Sequence, residues 1–157
     1  MKYLILIFVS SIIFIQCSYK SILPKETQTL IPPNANKIVL FSELPSDSLF
    51  DFAVNFLTAN NFRIFSYDKG FGYINTDGKY IGNWTMMRMN ILIVKNDKVS
   101  KLISTGDWIV GANLSESSQQ VWKPASKGER DLSDYAYDNM VLILQKFPNK
   151  EIHFVQE

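Results

Sequence analysis

Apolar positions along the chain fall into a solid block, then alternating runs and helical stripes. The block comes first. Tyr3 to Ile15 is apolar except for Ser10 and Ser11, with Lys2 ahead of it and Gln16, Cys17 and Ser18 behind. Residues 18–36 then show no period and hold Pro24, Pro32 and Pro33, half of the six prolines, which predicts a flexible tether. Such a segment reaches on the order of 25 Å as a coil and about 60 Å as polyproline II.

Residues 37–41 (Lys-Ile-Val-Leu-Phe) form the first β-prone run. Pro45-Ser46-Asp47 opens a helix, with Ser46 placed to cap and Asp47 facing the positive end of the dipole. Leu49, Ala53, Phe56 and Leu57 follow at helical spacing, and Asn60-Asn61 suits a left-handed stop. Residues 62–67 and 71–76 read as strands around an Asp68-Lys69-Gly70 turn, and Asp77-Gly78 carries the chemistry of a hairpin turn. The region 83–94 is the most β-rich. After a turn at 95–98 come strands at 99–104 and 108–110, separated by Gly106-Asp107. Residues 112–128 are polar and irregular. A second helix follows with Ser133 as its cap, Ala136, Met140, Ile143, Leu144 and Phe147 on one face, and Lys146 and Pro148 as stop signals. A last short strand falls at 152–155.

This order, β-α-β-β-β-β-α with a further β-run at either side of the second helix, predicts an α+β fold. Its antiparallel sheet of about five strands has two helices packed on one face. The division expected is a leader at 1–16, a tether at 17–36 and one domain at 37–157.

Charge removes several function classes. Lys and Arg number 16 against 15 Asp and Glu, and Lys2 lies in the leader, so the remainder is balanced. A balanced chain gives no electrostatic case for nucleic acid. With one cysteine and one histidine the usual zinc and iron ligand sets cannot be assembled, and neither a metal nor a cofactor is expected.

Three readings compete for the N-terminus. A transmembrane helix over Tyr3 to Ile15 would span roughly 20 Å, short of the ~30 Å hydrocarbon core. A secretory cleavage site wants small residues at paired positions, which Ile13 to Ser18 supply poorly. The third is a resemblance: Phe14-Ile15-Gln16-Cys17 resembles a bacterial lipobox, with Gln16 standing where that family commonly has Ala, Gly or Ser. The resemblance implies a lipoprotein cut before Cys17, acylated on its sulfur and held at a membrane of the cell envelope. Ser18 resembles the residue that directs such proteins to the outer rather than the inner membrane.

Constellations that could carry chemistry each meet a simpler reading. Met87 and Met89 share one strand face and Met86 the other, which suits core filling better than copper(I). Gly70, Gly72 and Gly78 lack the Lys-Ser/Thr of a phosphate loop and read as turn or bulge glycines. Asp131, Asp134 and Asp138 lack the spacing of a calcium loop and read as acids at a helix start. His153 reads as a surface or strand residue, and no serine nucleophile motif is present. Trp122, Trp108, Tyr135 and Tyr137 are the candidates for an interaction surface, with packing in core and loops as the alternative reading.

Asp47 to Thr76 reads as a helix followed by Asn61-Phe62-Arg63-Ile64 and Asp68-Lys69-Gly70-Phe71-Gly72-Tyr73-Ile74. This resembles the helix-to-strand unit of BamC-type helix-grip lipoprotein domains, over about thirty residues, and implies a fold of that kind. The expected function is therefore that of a non-enzymatic interaction or structural module. It would meet a membrane through lipid at Cys17 and present itself to an envelope protein partner. The alternative is a carrier holding a small apolar ligand between sheet and helices.

Overall fold

The structure is a computed structural model describing residues 20–82, 84–95, 99–110, 121–128 and 131–156. Its elements in chain order are α1 (Lys25–Leu30), β1 (Lys37–Ser42), α2 (Ser46–Ala59), β2 (Ile64–Asp68), β3 (Tyr73–Thr76), β4 (Lys79–Gly82), β5 (Thr85–Val94), β6 (Ser100–Val110), β7 (Lys123–Pro124), α3 (Leu132–Leu144) and β8 (Glu151–Val155). The fold is α+β with an antiparallel open sheet, as expected, but among the described residues it has eight strands rather than about five and three helices rather than two. The strand order is β2-β3-β5-β6-β1-β8, with β4 also beside β5 and β7 beside β6. The expected leader at 1–16, Cys17 and most of the polar stretch expected at 112–128 lie outside the described residues.

The hairpin of β5 and β6 is the spine. Thr85, Met87, Met89, Ile91 and Ile93 turn to the helices and are buried, while Met86, Arg88, Asn90, Leu92 and Val94 face the other way. Leu102, Ser104, Gly106 and Trp108 extend the buried layer along β6, and Ile38 and Leu40 along β1. Leu49, Phe50, Ala53 and Leu57 of α2 and Ala136, Tyr137, Met140, Val141 and Leu144 of α3 cover it. Each fully buried Leu or Met contributes roughly 1.5–3 kcal/mol over its exposed state. Phe52, Phe56 and Phe147 stack and cross at 5.1–5.7 Å between ring centres, tying α2 to the turn after α3.

Two glycines expected at turns are placed otherwise. Gly106 continues β6 opposite Met89, and a Cβ there would stand 3.2 Å from the Met140 Sδ and 3.3 Å from the Arg88 carbonyl oxygen. It lets α3 lie close on the sheet. At Asp77-Gly78 the chain makes a bulge, not a hairpin. Asn75 faces Asn90 and Lys79 faces Met87, so four steps on one strand match three on β5. Thus β3 and β4 run along the same edge of β5 in one direction.

Helix ends differ in how legible they were. α2 stops as expected: Asn61 is left-handed at φ 61°, Phe62 N–H donates to Leu57 O at 2.9 Å and Asn61 N–H to Thr58 O at 3.0 Å. Its start does not use Ser46 as a cap, because Pro45 holds the cap position and no side chain accepts there. α3 is capped by Asp131, whose carboxylate accepts from Ser133 N–H at 2.6 Å, so Ser133 is inside the helix rather than its cap. Ser133 Oγ instead accepts from Ser126 N–H at 2.8 Å and fastens the strand-to-helix connection.

The largest departure lies before β1. Residues 21–36 were expected to be a tether, yet Leu23, Ile31 and Ala35 are buried in the core and α1 forms between them. Asn34 N–H donates to Lys127 O, and Lys127 N–H donates to Ala35 O at 2.8 Å. The prolines that suggested a free coil are compatible with a docked one, since burial of Leu23 and Ile31 needs no local period.

Candidate functional site: the N-terminal clasp and the exposed aromatics

Asp138 is fully buried in the second turn of α3, beyond the reach of the helix N-terminus. Its Oδ1 accepts from Lys127 Nζ at 2.7 Å. Its Oδ2 accepts from Ser21 Oγ at 2.5 Å and from Ile22 N–H at 3.2 Å. Asp134, one turn earlier on the same face, accepts from Gly128 N–H at 2.6 Å and stands 3.9 Å from Lys127 Nζ. These residues form a clasp. A buried carboxylate holds the start of the folded chain and is neutralised by a nearly buried lysine. Lys127 also donates to Ser21 Oγ at 3.3 Å.

The three aspartates read as helix-start acids thus have separate work: Asp131 caps, Asp134 receives a loop amide and Asp138 closes the clasp. The signal that could have singled out Asp138 was its position, flanked by Tyr137 and between Ala136 and Met140 on a helix otherwise facing the core. Among the described residues no three His, Cys, Asp or Glu side chains gather as a metal group.

Tyr137, beside Asp138, is also fully buried and donates weakly to Lys37 O at 3.4 Å. Burial, and then the charge of Asp138, push its phenol well above the ordinary tyrosine range. The neutral phenol is therefore favoured in the folded state. Its contribution is complete below the unfolded value near pH 10 and is lost as pH rises toward the folded value. Folding stability should fall by up to about 1.4 kcal/mol per pH unit in that window. Tyr137→Phe should flatten the fall, measured by urea unfolding at pH 8, 10 and 11; parallel losses in both proteins would refute the assignment.

The four aromatics expected as candidates for an interaction surface are each buried or half-buried and are not gathered on one face. Tyr137 is in the core, and Trp108 is 7% exposed on the core face of β6, with no hydrogen-bond partner for its Nε1–H among the described residues. Tyr135 is half-buried and donates to Ile81 O at 2.6 Å, closing α3 onto β4. Trp122 is half-buried on the opposite face of the sheet. Its ring fills the space above Gly78, where a Cβ would come within 2.7 Å of it, and the Arg88 guanidinium lies 4.6 Å from the ring centre. Arg88 is itself held by Asp107 at 2.8 Å. Trp122 is therefore packed from both sides, which its polar sequence surroundings concealed.

The exposed aromatics are others. Phe65, Tyr67 and Phe71 stand along the β2 edge and its following turn, with Phe65 and Phe71 more than three-quarters exposed. Beside them a surface cleft of about 380 Å³ opens between the start of α2 and that turn, bordered by Asp47, Lys69, Phe71 and Leu92. At the other end of β5, Tyr80 of β4 and Trp84, just before β5, are exposed. Sequence reasoning missed these because alternation marks which faces differ, not which face a helix later covers.

Cys17 lies outside the described residues, four positions before Ser21. Among the described residues no helix is long and apolar enough to cross a membrane. No family model matches the chain, and no curated protein is significantly similar to it.

Proposed function

We propose that the chain is an envelope lipoprotein, held to a membrane by acyl chains on Cys17, whose domain is a non-enzymatic interaction or structural module. The observation that carries this reading is the juxtaposition of two features. An apolar leader ends at a lone cysteine, and four residues later Ser21 is fastened to the buried Asp138. A tethered domain is pulled at its N-terminus, and a clasp at that point keeps the fold from fraying where the anchor joins it. Several acyl chains, at ~0.8 kcal/mol per buried methylene, would make the attachment durable. Ser18 favours the outer membrane over the inner, and the helix-grip resemblance of Asp47 to Thr76 supports an envelope setting.

The partner would be an envelope protein meeting the β2 edge, where Phe65, Tyr67 and Phe71 are exposed beside the cleft. A ligand carrier is the weaker reading. The layer between sheet and helices is occupied by Leu40, Met89, Leu102 and Met140, all fully buried, and would have to open.

Mass spectrometry of the protein purified from its native host tests the anchor. The expected product begins at Cys17 and carries fatty acids, and Cys17→Ser abolishes both cleavage and acylation. An intact Met1 start, or an unmodified thiol on a freely soluble product, overturns the reading.

A further inference from the structure

The clasp fixes where a membrane would lie relative to the domain. Ser21 is bonded to Asp138, and three residues earlier on α3, about 4.5 Å along the axis, Tyr135 is bonded to Ile81 of β4. The Tyr135 hydroxyl also lies within 2.6 Å of the place a Cβ would take on Gly82. One turn of α3 therefore joins the chain's point of entry to the β4–β5 connection. From Ser21 back to Cys17 the chain can extend no more than about 14 Å. A lipid on Cys17 would hold the N-terminal end of α3, and the strand ends beside it, against the bilayer.

That end is the one with exposed apolar side chains in the right place. Trp84 is 74% exposed and Val121 72%, with Tyr80 and Val110 also exposed, and Val110 pairs with Thr85 directly after Trp84. Trp84 has φ 58°, a left-handed conformation that costs a bulky L-residue about 1–2 kcal/mol. Gly82, two positions before, is also at positive φ (115°). The turn thus spends backbone strain to hold the indole of Trp84 exposed, with no ring or cation contact to it among the described residues. Tryptophan beside tyrosine is the pair favoured at a bilayer interface, with the apolar ring among acyl chains and the polar edge at the headgroups.

We propose that Trp84, together with the exposed Tyr80 of β4, rests in the headgroup region of the bilayer that carries the acylated Cys17. The proposal builds on the lipoprotein reading given above. It sets the orientation of the domain. β5 runs from this contact to the cleft beside Phe71, roughly 30 Å away at the rise of a strand, so the aromatic edge points away from the membrane.

The test uses the full acylated protein and its Trp84→Phe variant, each reconstituted into vesicles of phosphatidylethanolamine and phosphatidylglycerol with brominated acyl chains. Bromine quenches indoles that enter the bilayer. Trp108 is buried and Trp122 packed, so the quenching expected of the wild type should fall to about half or less in Trp84→Phe. Equal quenching in the two proteins, or none in the acylated wild type, overturns the proposal, and the latter leaves the hairpin free for a protein partner. Mass spectrometry of the same preparation separates the two claims. Acylation without Trp84 quenching defeats the orientation alone, whereas quenching without acylation upholds the contact and defeats the anchor.

Discussion

Replacing Asp138 by alanine is expected to lower the free energy of unfolding by about 3–5 kcal/mol, the range for removing one partner of a buried ion pair. The reason is what remains. Lys127, only 14% exposed, keeps Asp134 at 3.9 Å as its nearest carboxylate, while Ile22 N–H and Ser21 Oγ lose their acceptor. Asp138→Asn, which keeps the shape and an acceptor oxygen, should cost less. Urea unfolding at pH 7 reads the loss, and limited proteolysis reads its location: cleavage near Lys20 and Lys25 should accelerate in Asp138→Ala. An unchanged unfolding midpoint would show that the clasp contributes nothing, and the role given to it at the anchor would go with it.

Gly72→Ala should be comparably severe, about 3 kcal/mol or more, although it adds one carbon atom. Gly72 is left-handed at φ 73°, and a Cβ on it would sit 2.1 Å from the Ile93 carbonyl oxygen. The left-handed penalty is about 1–2 kcal/mol. The collision adds to it, because the clashing atom is backbone and cannot rotate away. Moving it breaks the bond from Ile93 N–H to Gly72 O, at 2.7 Å, which starts the β3–β5 pairing. Amide exchange at Tyr73 and Ile93 should quicken along with the fall in stability. If Gly72→Ala unfolds at the wild-type urea concentration, the close approach of β3 to β5 is wrong.

The two variants probe opposite ends of the molecule. Gly72 borders the cleft beside Phe71, and Asp138 holds the start of the described chain at Ser21. Loss at the first should disturb the cleft and leave the clasp intact. Loss at the second should loosen residues 21–36 from the domain and leave the cleft intact.

How much could be read before folding is clearest at β5 and β6. Met87, Met89 and Ile91 alternate with Arg88, Asn90 and Leu92, and that period of two determined a strand with a buried and an open face. Leu49, Ala53 and Leu57, and Ala136, Met140 and Leu144, determined the two long helices in the same way. Asn61 ended α2 because asparagine accepts a left-handed backbone, a preference carried by the residue itself. From these the α+β class followed.

Where the reading failed, the deciding contact joins residues far apart in the chain. Gly106 looks like a turn until Met140 of α3 is placed above it, and Gly78 looks like a hairpin until Trp122 covers it. Asp138 looks like a helix-start acid until Ser21 and Ile22, 117 and 116 residues away, reach its carboxylate. Local periods and backbone preferences act within a few residues, so the sequence alone determined the long strands and helices and the α+β class. Which glycine makes room, which aromatic is buried and which segment docks depend on the space between elements, and only the assembled sheet and helices define that space.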